Sequence, residues 1–93
     1  MNLAYELDLV VRGLIEFPEN EHNAAALTEV RPIAAKLTIL KDQAIEDALS
    51  KEQLIASLES IKAELDVLDS VLPFVKIASA DLRRFAISLE ESE

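Results

Sequence analysis

Residues 65–79 read LDVLDSVLPFVKIAS and set a proline inside an apolar repeat that otherwise asks for one unbroken helix. Leu65, Leu68, Leu72 and Val75 keep the alternating steps of three and four residues that mark one helical face. Pro73 interrupts them with neither a glycine nor a good cap beside it. Inside a helix a proline removes one backbone hydrogen bond and clashes with the carbonyl four residues back, at about 3 kcal/mol. Whether the chain bends or breaks there decides whether it closes on itself or keeps an apolar face for a partner.

The repeat extends far on both sides. Leu54, Leu58, Ile61, Leu65, Leu68, Leu72, Val75, Ser79, Leu82, Ala86 and Leu89 step by four and three without a slip. Glu59, Lys62, Glu64 and Asp66 flank its first half. Past Val71 a second stripe of Phe74, Ala78 and Phe85 joins it, and Ile77 and Ile87 lie outside both. The spacing predicts a helix over 51–90, kinked or broken at Pro73. The unbroken register and the poor capping power of Leu72 favour the kink. The tail EESE is acidic and expected to fray.

Ahead of this segment, Ser50 followed three residues later by Gln53 is a capping-box pattern and the clearest boundary in the chain. It predicts an antiparallel helical hairpin with a second helix over 24–49. Ala26, Val30, Ile33, Leu37, Leu40 and Ala44 form the seam of that helix, with Leu27, Ala34 and Ile45 beside it. Pro32 falls within it and predicts a second kink or break. The two prolines lie 18 and 23 residues from Ser50, so bends on both arms would fall near one level. A first helix over 3–17 carries Leu3, Leu7, Val10, Leu14 and Phe17, widened by Ala4 and Val11. Asp8 and Arg12 are spaced for an exposed ion pair. Gly13 costs a helix about 1 kcal/mol relative to alanine, which points to close backbone packing. Pro18 ends this helix, and Asn20 or Asn23 is placed to cap the next.

Composition agrees with an all-α domain. The 93 residues suit a single domain. Hydrophobic residues make up 51%, and one glycine with three prolines supplies too few turns for a small β-sandwich or barrel. The expected architecture is a small antiparallel helical bundle, built on the long hairpin and covered by the N-terminal helix. About forty residues of straight helix would span roughly 60 Å, whereas a compact domain of this size has a radius of gyration near 13 Å. Leu82, Phe85, Ala86 and Leu89 would then protrude unless the first helix or a second chain covered them.

The sequence excludes several chemistries. Without cysteine there is no disulfide, thiolate metal site or thiol nucleophile. Glu19 and His22 have the Glu-x-x-His spacing of di-iron bundles, but such sites use that unit twice and His22 is the only histidine. No serine sits in a nucleophile turn, and one glycine cannot build a phosphate-binding loop. The expectation is a protein that is not an enzyme and needs no metal or cofactor. No apolar run approaches the roughly 18 residues of a membrane span. The opening residues are too charged for a signal peptide, which predicts a soluble, cytoplasmic protein.

Net charge is −9, from 18 acidic and 9 basic residues, and this repels nucleic acid and anionic membranes. Arg83 and Arg84 are the only adjacent basic residues, so direct nucleic-acid binding is not expected. The function that fits is a non-catalytic interaction module: a small adaptor, inhibitor, chaperone or assembly subunit, expected to be a homodimer. Its interface is expected on the last helix, at Phe74, Ile77, Leu82, Phe85 and Leu89. The alternative is an acidic mimic of nucleic acid that blocks a basic protein. Asp42, Glu46, Asp47 and Glu52 form one candidate row, and Glu59, Asp66 and Asp69 another, interrupted by Lys41, Lys51 and Lys62.

Overall fold

The computed structural model describes residues 2–16, 21, 24–68, 72 and 75–91. Among these the chain forms four helices: α1 (Leu3–Ile15), α2 (Ala24–Ile45), α3 (Lys51–Asp66) and α4 (Val75–Glu91). Each packs against its neighbours in the chain, and α1 also meets α4. Among the described residues α1 does not approach α3, nor α2 approach α4, so the helices stand at the corners of a square. Asp8 pairs with Lys41, Lys36 with Glu64, and Ser79 donates to Asp66. The start of α1 lies beside the end of α2, five residues join α2 to α3, and the end of α3 bonds near the start of α4, so every chain-adjacent pair of helices is antiparallel. The result is an up-down-up-down four-helix bundle, 45 × 21 × 17 Å, with a radius of gyration of 13.1 Å.

The kinked long helix is therefore replaced by two helices folded against each other. Helix α3 ends at Asp66, seven residues before Pro73, and α4 starts at Val75. Pro73 itself lies outside the described residues, as do Phe17, Pro18, Glu19, Asn20, His22, Asn23 and Asp69. The seam survives the reversal. Leu65, Leu68, Leu72 and Val75 are all buried, and from Leu58 to Ala86 every position of the repeat is inside. Leu72 N–H donates to the Leu68 carbonyl, and Val75 N–H to that of Leu72, each at 2.9 Å. These bonds keep the two connecting leucines on the core side between the helices. The expected levelling of the two prolines presumed an arm running on to Pro73, and α3 does not reach that far.

Two further boundaries rest on local chemistry. Ser50 caps α3 as its spacing predicts: its hydroxyl accepts from Gln53 N–H while the Gln53 side chain accepts from Ser50 N–H. Helix α2 stops at Ile45, four residues before the expected end. There Asp47 takes a left-handed conformation with φ 55°, Ala48 N–H bonds the Gln43 carbonyl, and Asp47 N–H bonds that of Ala44. This is the Schellman pattern, built on aspartate where glycine is usual. Pro32 does not break α2, which runs through it. Thr28 and Pro32 are both exposed, so water can replace the donor that the Thr28 carbonyl loses. The N-cap of α1 is Asn2, whose side chain accepts from Tyr5 N–H at 3.1 Å.

The core contains Leu7, Leu14, Leu37, Leu58, Leu65, Leu82 and Phe85 at 2% exposure or less. Burying each such side chain contributes about 1.5–3 kcal/mol. Ile45, expected beside the seam of α2, is instead 65% exposed at the end of that helix. Gly13 does not serve close packing either, since a Cβ there would meet nothing within 4 Å. Its helical backbone and open surroundings predict that Gly13→Ala raises stability by about 0.5–1 kcal/mol. Urea denaturation with an unchanged m-value would show it, and a loss of stability would reveal an unseen contact at that position.

Candidate interaction surface

The residues expected to form an interface on the last helix separate in the structure. Leu82 and Phe85 are fully buried, at 0% and 1% exposure, and Leu89 is half-buried against the core. Their apolar surface is covered when α4 folds back on α3, which the continuous helix did not allow. Phe74 lies outside the described residues. Among the four that are described, Ile77 alone stands on the surface, 69% exposed.

The hairpin of α3 and α4 is held by a polar contact as well as by its seam. Ser79 occupies an apolar position of the repeat, is 5% exposed, and donates its hydroxyl hydrogen to Asp66 Oδ1. Asp66 is the last residue of α3, where the helix dipole disfavours an acid. Lys62 Nζ, at 2.8 Å from Oδ2, offsets that. The Lys62 hydrogen bond, followed by that of Ser79, holds the Asp66 carboxyl below its ordinary pKa of 3.8. A lowered folded-state pKa stabilises the fold above the unfolded value and is lost as pH falls through the folded one. The Asp66 contribution should therefore be complete at neutral pH and disappear below pH 3.8. Ser79→Ala should cost about 1 kcal/mol, because the half-exposed carboxylate can rehydrate. NMR titration should find the Asp66 pKa raised toward its ordinary value, and an unmoved pKa would remove the Ser79 bond from the account.

Outside the core, apolar side chains remain along two seams. The groove between α2 and α3 has a volume of about 380 Å³ and is lined by Ile39, Leu40, Ala56, Ser57, Ser60 and Ile61, with Lys36, Gln43 and Glu64 completing it. Lys36 Nζ and Glu64 Oε1 pair across it at 2.6 Å. Ile39 is 58% exposed at its edge. The second groove, about 200 Å³ between α1 and α4, brings Leu9 and Gly13 beside Ile77 and Asp81. Tyr5 and Ile45 meet at the end of the bundle where α1 begins and α2 ends. None of these residues except Ile77 was expected at an interface. The available signal was an isoleucine or leucine placed off the heptad seam, as Ile39 is off Ile33, Leu37 and Leu40.

The charged surface has its own order. Asp42, Glu46, Asp47 and Glu52 lie around the α2–α3 turn, all four exposed. Lys41 turns toward Asp8, at 3.5 Å, and Lys62 toward Asp66, so two lysines of the acidic rows are paired. Arg12 pairs with Asp8 at 3.1 Å, as its spacing predicts. Arg84 pairs with Asp81 and lies over the Phe85 ring at 5.3 Å. Among the described residues no group of three or more His, Cys, Asp or Glu side chains is placed to hold a metal ion. Among them, too, no helix is long and apolar enough to cross a membrane. Glu19 and His22, the candidate metal pair, lie outside the described residues.

Comparison with protein-family models, curated proteins and solved structures finds no match to the chain.

Proposed function

We propose that this chain is a non-catalytic protein–protein interaction module, a small acidic adaptor, inhibitor, chaperone or assembly subunit that docks through apolar helical surface. The observation that carries this reading is Ile39, exposed over a groove whose other residues are small, apolar, mutually neutralised or, in Gln43, an uncharged amide. Shallow grooves between helices with an apolar floor are a usual seat for a partner helix. Burying the exposed part of Ile39 there would add about 1–2 kcal/mol, enough to weight a modest contact.

The test is retention of a partner on the immobilised chain, compared with Ile39→Asp and Phe85→Ala. Ile39→Asp should abolish retention while leaving the circular dichroism unchanged, and wild-type retention should survive about 0.5 M salt, where the Debye length falls to a few ångströms. Phe85→Ala should cost about 3–5 kcal/mol of folding stability and is a control for unfolding, not a probe of the surface. Retention indifferent to Ile39 and to Ile77→Asp would overturn the apolar reading.

A second reading, an acidic mimic of nucleic acid, is favoured by Asp42, Glu46, Asp47 and Glu52 clustering at one turn with Lys41 drawn away to Asp8. It predicts the opposite response: retention lost with salt and with Glu46→Lys, and preserved in Ile39→Asp.

A further inference from the structure

The α2–α3 face differs from the rest of the molecule in charge. On α2 its outer row is Pro32, Lys36 and Ile39, ending at Gln43. On α3 the matching row is Ala56, Ser60 and Ala63, with Glu64 beside it. Lys36 and Glu64 are the only charges in these rows and they cancel, in a chain whose net charge is −9. Two copies of such a chain repel each other over most of their surface. Through this face, whose two charges cancel, they can approach without net like-charge repulsion.

The register of the hairpin makes the face self-complementary. Helices α2 and α3 are antiparallel, and the Lys36–Glu64 pair sets a register that carries Leu40 to the level of Ser60 and Gln43 to that of Ser57. A two-fold axis laid along the groove, parallel to the helices, would set α2 of one copy over α3 of the other. Each α2 residue would then face the same α3 residue that it already stands beside. Lys36 would meet Glu64 of the partner subunit, and Glu64 would meet Lys36 of the partner subunit. Ile39 would fall between Ser60 of the partner subunit and Ala63 of the partner subunit, whose side chains are short enough to receive it.

We infer that the α2–α3 face binds a second copy of this chain as a two-fold dimer, with crossed Lys36–Glu64 pairs on either side of the axis and Ile39 about one turn along from them. This rests on the interaction reading above and names its partner. It also moves the expected homodimer from α4, whose apolar residues fill the core, to a different side of the bundle.

Sedimentation equilibrium of the whole chain from about 1 to 100 µM tests it. The wild type should be a dimer at the upper concentrations. Ile39→Asp should raise the dissociation constant by about a hundredfold or more, as loss of a central anchor does. Lys36→Glu and Glu64→Lys, each alone, should be monomeric, because each sets like charges across the axis. Mixed together, the two variants should form a heterodimer, since two acidic side chains on one chain then face two basic side chains on the other. A monomeric wild type at about 100 µM overturns the dimer, while the retention experiment still decides the interaction reading separately. A dimer that ignores these substitutions but dissociates with Ile77→Asp overturns it as well, by placing the contact on the α1–α4 seam.

Discussion

The reversal between Asp66 and Val75 is the constraint on which the bundle depends. A seam that is buried without interruption from Leu58 to Ala86 needs apolar cover along its whole length. One straight helix would present that seam over a distance no other part of a 93-residue chain could cover. Folded at its middle, the seam covers itself: Leu58, Ile61 and Leu65 of α3 share a core with Leu82, Phe85 and Ala86 of α4. Helices α1 and α2 then need only close the other half of the square.

That arrangement shapes the surface. Because α4 directs its aromatic and leucine side chains into the core, apolar exposure is displaced to positions off the seams, among them Leu9, Ile39 and Ile77. Charge is distributed unevenly as well. The α2–α3 turn gathers acids at the C-terminal end of α2, where the helix dipole disfavours them, and the last turn of α2 holds no basic residue to compensate. Asp47 adds a left-handed backbone at the same place. The groove beside it, in contrast, is neutral. A protein with one strongly acidic end and one side of no net charge has two chemically different faces to offer, and their responses to salt differ.

Parts of this were legible in the residues. The capping box at Ser50 and Gln53 is a local signal, complete within four residues, and it marked the start of α3 correctly. The Asp8–Arg12 pair is likewise local. The end of α2 was not legible, because a Schellman motif usually announces itself by glycine and here uses Asp47. Gly13 misled in the opposite direction: it suggested a close approach where the structure has open space. The interface residues were the least legible. An apolar residue on the α4 seam reads the same whether it faces a partner or its own chain, and only the path of the chain placed Leu82 and Phe85 inside, although spacing already set Ile77 off the seam.

The sequence by itself determined most of the side chains that point inward, Ile45 being an exception, and that they do so from helices. The heptad spacing is a property of the helical repeat, and it held from Leu58 to Ala86, through the two leucines that join α3 to α4. It could not determine whether those helices were one or two, because the same spacing is satisfied by a continuous helix and by a hairpin whose connection keeps Leu68 and Leu72 on the core side. Tertiary structure decided that, through the need to cover apolar surface with a short chain. In doing so it also decided which hydrophobic residues were left over for the outside.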